Sequence, residues 1–289
     1  MKRVDGKGAF ITGGASGIGL GMARAFGKAG VKLALADVDE GALQTAASSL
    51  RDLGVDVVAQ TLDVSDPSAW EGALDRAEAA IGPISVLCNN AGIGGAGKSV
   101  AEWDIALWRM VMEVNLFGAF YGCRLMLPRM LERGEEAHIV NTASVNGWVA
   151  FPRGSAYSAS KHAIVGLTDS LRGELADSNV GVSLLCPGMT NTNFAANSMR
   201  FMSGKAGAPP SPDRPVTDFL KTGASPEKVG ERVLRAVLAG EYHILTHSDW
   251  KPMIEAHFAE RLAAFGEDAD PDHHEDFAAL ARANAIPRG

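Results

Sequence analysis

The sequence predicts an α/β fold, a doubly wound parallel sheet of about seven strands with helices on both faces and a single domain. Three features point to it. Short aliphatic or β-branched runs alternate with longer helical patterns from the first residues to about Leu245. A glycine-rich turn joins the first run to the first helix, and an acidic residue closes the second run. At 289 residues the chain exceeds a typical domain, yet such folds run to about 250 residues around one core.

In order, strands are expected at Gly8–Ile11, Lys32–Ala36, Val55–Leu62, Ile84–Asn89, His138–Thr142, Val180–Cys186 and Tyr242–Leu245. Helices are expected between them at Gly17–Ala29, Glu40–Leu53, Pro67–Ile81, Asp104–Arg133, Ser155–Asp177 and Pro226–Ala239. Gly30 and Gly54 supply left-handed residues at helix ends, while Asp66-Pro67 and Ser225-Pro226 place a cap before a first-turn proline. The alternation breaks from Met189 to Ala224, where glycines and prolines (Gly204, Gly207, Pro209, Pro210, Pro212, Pro215) stand among Phe194, Met199, Phe201 and Met202. An insertion of that length with apolar residues reads as a lid over a site, spanning 189–225. Residues 1–245 thus form one unit that includes the lid. Residues 246–289 read as a helical extension packed on it, through Trp250, Ile254, Phe258, Leu262 and Phe265.

Composition narrows the functional classes. The net charge of -7 is spread along the chain, without the Lys/Arg clustering of a nucleic-acid footprint. No apolar run approaches the roughly eighteen residues of a membrane span, and the start Met1–Lys7 lacks a secretion signal, so a soluble, cytoplasmic protein is expected. Cys88, Cys123 and Cys186 are widely spaced without a CxxC pair and read as buried structural thiols. His273-His274, between Asp272 and Glu275, reads as a solvated acidic tail, and no metal site is expected.

The turn Thr12-Gly13-Gly14-Ala15-Ser16-Gly17-Ile18-Gly19 follows the first strand and opens the first helix. Glycines at 13, 17 and 19 allow a sharp turn, close backbone approach to a pyrophosphate and tight helix–strand packing, with the helix N-terminus facing the anion. Asp37, ending the second strand, is placed to accept both hydroxyls of an adenosine ribose and to repel the extra phosphate of NADP, which favours NAD. Asp37 could instead cap the next helix, a task Asp39 could equally take.

Ser144 ends the fifth strand, and thirteen residues later Tyr157 and Lys161 sit four apart on a helix, which puts phenol and ammonium on one face. These residues resemble the short-chain dehydrogenase/reductase family, whose fold is of the Rossmann type. The match comprises the glycine turn at 12–19, Asp63-Val64, Asn89-Asn90-Ala91-Gly92, Asn115, Ser144, Tyr157 with Lys161, and Pro187-Gly188, in the family's order over most of residues 5–245.

That resemblance implies an oxidoreductase moving a hydride between nicotinamide and a secondary alcohol or ketone. Tyr157 would be the general acid/base, Ser144 would hold the substrate oxygen, and Lys161 would bind the nicotinamide ribose and lower the tyrosine pKa. Asn115 would hold a relay water. Gly13, Ser16, Gly17, Ile18 and Gly19 would cradle the pyrophosphate, and Asp37 the ribose. Asp63 and Val64 would meet adenine; Asn90, Ala91 and Gly92 would line the ribose side. Pro187, Gly188 and the backbone of Thr190 would hold the nicotinamide amide, with Thr192 adding a pyrophosphate or amide contact. Thr190 stands where an aliphatic residue is common, but its contact is usually made by backbone. An ammonium near 4 Å at an effective dielectric of about 20 contributes about 4 kcal/mol, roughly 3 pKa units, which would bring Tyr157 near neutrality.

The lid residues with Val145, Trp148 and Phe151 could line an apolar pocket for a bulky or aromatic alcohol, or could be lid core. The stretch from Tyr242 through Phe258 is similar to the tail of bacterial dehydrogenases of aryl-substituted secondary alcohols, lignin-dimer types included. The family resemblance also implies a homodimer or homotetramer packed through the helices 104–133 and 155–177. Ketone reduction by the same groups, a cofactor-binding scaffold without catalysis, and non-redox chemistry on the same fold remain the alternatives.

Overall fold

The computed structural model describes residues 1–95, 97–206 and 222–265. The lid residues 207–221 and the tail beyond 265, His273 and His274 included, lie outside the described residues. Strands β1 (Gly8–Thr12), β2 (Lys32–Asp37), β3 (Val57–Thr61), β4 (Ile84–Asn89), β5 (Ala137–Thr142), β6 (Val180–Cys186) and β7 (His243–Leu245) form one parallel sheet in the order β3-β2-β1-β4-β5-β6-β7. The order reverses direction between β1 and β4, so a crevice opens outside their C-terminal ends, where such sheets bind ligands.

Helices cover both faces. On one lie α1 (Gly17–Lys28), α2 (Glu40–Arg51) and α8 (Pro226–Ala239), packing Met22, Phe26, Leu43, Leu50 and Val233 onto Ala9, Ile11, Leu33 and Leu35. On the other lie α3 (Pro67–Ile81), α4 (Ile105–Met112), α5 (Gly118–Arg133) and α6 (Ser155–Glu174), which bury Trp70, Leu74, Val111, Met126 and Leu171 against Phe10, Ala34 and Ala36. Neighbouring residues of one strand thus feed opposite cores, which is why these strands are apolar throughout. The first-turn prolines behave as expected: Asp66 accepts from Ser68 N before Pro67, and Ser225 from Lys228 N before Pro226. Gly30 (φ 80) and Gly54 (φ 78) are left-handed. All three cysteines are free and buried.

α1 and α8 meet at two glycines. A Cβ on Gly230 would stand 2.2 Å from the Gly21 carbonyl oxygen, and one on Gly21 would stand 2.1 Å from that of Pro226. Gly230→Ala should therefore push α8 off α1 and cost about 1–3 kcal/mol, read as a lower midpoint in chemical denaturation.

Two elements differ from expectation. The helix expected over Asp104–Arg133 is broken by a π-helical turn, Glu113–Phe117, that carries Asn115 between α4 and α5. By length and composition alone the stretch Ile105–Arg133 could cross a membrane, contrary to the expectation from the sequence; 44% of its most apolar window is buried in the fold. Part of the insertion 189–225 is a helix, α7 (Phe194–Ala206), and the ends of the insertion are pinned together, Asn191 N donating to Ala224 O and Ala224 N to Met189 O. The extension begins with α9 (Lys251–Ala263), whose Phe258 meets Trp148 edge-on at 5.9 Å.

Candidate active site

The crevice above β1 and β4 gathers most of the expected residues. Gly13 (φ 63) and Gly17 (φ 52) take conformations that side chains resist, and a Cβ on Gly13 would stand 2.9 Å from Ala91 Cα. A Cβ on Gly19 would stand 2.0 Å from the Gly13 oxygen, so only glycine lets the turn close onto α1. Ile18 is partly buried against the core beneath it. The Thr12 hydroxyl locks β1 to β4: it donates to Cys88 O at 3.3 Å and accepts the amides of Asn90 at 2.9 Å and Ala91 at 3.0 Å.

Helices α2, α3, α4 and α8 each begin on a side chain that accepts an early amide. α1 does not: Ser16 makes no cap bond, no acid occupies the first turn, and a cavity of about 310 Å³ lies there, lined by Ser16, Gly17, Thr192 and Arg24 among others. Open amides at a helix start, approached by glycine alone, fit a pyrophosphate. At the end of β2 the two acids divide their tasks. Asp39 caps α2 through Ala42 N, while Asp37 accepts Ala15 N at 3.1 Å and Asp39 N at 3.2 Å, tying its carboxylate to the glycine turn. Burial raises the Asp37 pKa, against the pull of those amides.

At the chemical centre Ser144 and Lys161 are buried and Tyr157 is half-buried; the Ser144 hydroxyl lies beside the Tyr157 phenol, and Lys161 Nζ lies 5.6 Å from the Tyr157 ring centre while donating to Thr142 O at 2.9 Å. Burial pushes the Tyr157 phenol up to about 12, with Ser144 pulling the other way, and lowers the Lys161 ammonium to about 8. The expectation of a phenol near neutrality is therefore not met by the chain alone. Desolvation outweighs attraction when the neighbouring ammonium is itself buried and turned toward a carbonyl.

Asn115 is closed in. Its Oδ1 accepts Ile93 N at 2.7 Å, and its Nδ2 donates to Ile93 O and to Ser160 Oγ, both at 3.0 Å. A Cβ on Gly92 would stand 3.3 Å from Asn115 Oδ1 and 3.5 Å from Lys161 Nζ, so Gly92 adjoins both. Pro187 accepts Val145 N at 3.1 Å, Thr190 is buried, and Thr192 packs on Gly17. Two residues are otherwise engaged. Val64 is core, its carbonyl taking the Trp70 indole N–H. Asp63 accepts Ser65 Oγ at 2.6 Å and Lys205 Nζ at 2.9 Å, and its pKa falls because those partners outweigh its burial.

Several contacts were not foreseen: the Thr142 carbonyl, Ser160, and a row on α7. Phe194 meets the Tyr157 ring at 5.9 Å, Asn197 donates to Ser16 Oγ at 3.3 Å, and Ser198 Oγ accepts Gly94 N at 2.8 Å. Phe201 and Met202 pack on the core, Phe201 also borders a cavity beside α4, and Phe194 alone of these aromatic and methionine residues stacks on Tyr157.

A family model described as short chain dehydrogenase matches residues 7–202. The chain belongs to the short-chain dehydrogenase family. Its members are NAD(P)-dependent oxidoreductases acting on CH–OH groups, and so is this chain. This short-chain dehydrogenase is 36% identical over 242 residues, 83% of each protein, to 1-deoxy-11-beta-hydroxypentalenate dehydrogenase of Streptomyces exfoliatus. It is 32% identical to the C alpha-dehydrogenase of a Sphingobium species, over 89% of this chain and 86% of that one, in keeping with the resemblance of its tail. The solved structure of a short-chain dehydrogenase/reductase from Burkholderia phymatum in complex with NAD is 36% identical with a TM-score of 0.85, covering 95% of this chain and 100% of that chain.

Proposed function

We propose that this short-chain dehydrogenase oxidises a secondary alcohol, bulky or aromatic, to the ketone with NAD, using Tyr157 as general acid/base. The observation that carries the reading is the half-buried Tyr157 phenol beside the buried Ser144 hydroxyl and the buried Lys161 amine, close to a helix start that is uncapped. Gly13, Ser16, Gly17 and Gly19 would hold the pyrophosphate, Asp37 the adenosine ribose, and Pro187, Gly188 and Thr190 the nicotinamide amide. Bound there, NAD would supply the hydride acceptor and a positive charge.

The chain's own groups handle the proton. Ser144 Oγ positions the substrate oxygen and steadies it as its proton leaves. Tyr157 Oη takes that proton. A phenol at about 12 cannot shed it to water at neutral pH, so the phenol passes its own proton on as it takes the substrate's, and Lys161 Nζ receives it in the fraction that is unprotonated, which grows as pH rises past about 8. Because the Asn115 amide is fully engaged, a relay water would rest on the carbonyl side of the π turn. Desolvated aromatic walls suit an aryl substrate: Phe194 faces Tyr157, and Phe151 meets Trp250 at 5.8 Å and 81°. Exposed Phe117, Phe120 and Leu131 on the π turn and α5 support a homodimer or homotetramer packed there, and the reading places the enzyme in the cytoplasm.

A panel of secondary alcohols, aryl ones included, followed at the nicotinamide absorbance band with NAD and NADP compared, tests the reading. Asp37→Ala should lower the ratio of kcat/KM for NAD over that for NADP by about 10–100-fold, since charged hydrogen bonds of about 1.5–3 kcal/mol are lost. An unchanged ratio would remove Asp37 from the ribose.

A further inference from the structure

The C-terminal extension reaches the turn after β6. The Gly188 amide donates to His247 Nδ1 at 3.1 Å, and Thr246 Oγ1 lies 2.7 Å from the same nitrogen. A backbone amide can only donate; it reaches His247 Nδ1 at 3.1 Å, where the ring accepts through its Nδ1 lone pair, and Thr246 Oγ1 at 3.4 Å. Nε2 is buried without a partner among the described residues. Packing alone would favour an apolar ring at 247, which would fill the space without stranding a donor. The room is also tight, since a Cβ on Gly188 would stand 2.6 Å from Trp250 Nε1 and 2.8 Å from His247 Cγ.

The same segment braces the loop that bears Ser144. The Pro187 carbonyl takes Val145 N, Trp148 contacts His243 and Phe258, and Trp250 meets Phe151. Strand ends β5 and β6 are thereby tied together from above by residues 243–258.

We infer that His247 is a positioning residue: its Nδ1 fixes the Gly188 backbone, and through Pro187 and Val145 it sets that turn against Ser144. The inference rests on the assignment of Pro187 and Gly188 to the nicotinamide side of the groove. It makes the extension part of the site, because His247 and Thr246, whose Oγ1 takes the same amide at 3.4 Å, both belong to it.

Two amides separate the ring nitrogens. Asn at 247 places an acceptor near Nδ1, whereas Gln carries its amide out to the position of Nε2. With His247→Gln the Kd for NADH, by nicotinamide fluorescence, and the KM for NAD should each rise about 10-fold while kcat stays within about 3-fold; His247→Asn should stay within about 3-fold of wild type in all three. Both changes are polar and similar in burial cost, so a structural role would move them together. Equal values for the two variants, whether both impaired or both unaffected, would overturn the inference. NADH binding needs no turnover: a chain that binds NADH yet oxidises no alcohol would sink the proposed function while leaving this comparison decisive.

Discussion

Tyr157→Phe should lower alcohol oxidation by about 10³-fold or more while the Kd for NADH stays within about 3-fold, because only the group that moves the proton is removed. The ring remains to meet Phe194, whose edge contact at 5.9 Å does not involve the hydroxyl. Ser144 keeps the bond from Asn146 N at 3.1 Å. Stopped assays with NADH binding in parallel separate the cases: wild-type turnover would take the proton step away from Tyr157, and lost NADH binding would show that the phenol builds the groove.

The second large effect is on Lys161. Burial holds its ammonium at about 8, below the ordinary lysine value, so the amine becomes free to take a proton as pH rises past that point. Oxidation, as kcat/KM, should climb with pH through a midpoint near 8. Lys161→Met should lose about 10²–10⁴-fold in turnover and lose that limb of the profile. Stability carries the same signature with its own sign. Between about 8 and the ordinary lysine value the unfolded chain holds the extra proton at this residue, so the Lys161 contribution to stability rises with pH across that window and is level below about 8, where both states are protonated. Lys161→Met should lack that rise, in urea titrations at several pH values. A profile unchanged by the substitution would place the titrating group elsewhere.

Much of this was legible because it is written in residue type. A strand buried on both faces is mostly apolar, so Phe10 and Ile11 are both hydrophobic although they feed opposite cores. Caps and prolines mark α3 and α8 for local reasons that need no tertiary partner. The two acids after β2 were ambiguous in sequence, since either can cap a helix; only the Ala15 amide, brought close by the glycine turn, separates Asp37 from Asp39.

What stayed hidden depends on groups distant in sequence. The π turn exists where Asn115 reaches the backbone of Ile93, a demand no local pattern records. Spacing places Tyr157 beside Lys161 but says nothing of burial or of the Thr142 carbonyl, and those decide both pKa values. The adjacency of Ser160 to Lys161 was a usable signal for the Asn115 contact. His247 carries none, being far along the chain from Gly188.

The most direct measurement uses an aryl secondary alcohol deuterated at the carbinol carbon, mixed with the enzyme and NAD. The account requires deuterium to appear in the reduced nicotinamide, one atom per ketone formed, with a slower rate than for the undeuterated alcohol. Ketone formation with no deuterium on the nicotinamide, or NADH binding without any oxidation of secondary alcohols, would contradict it.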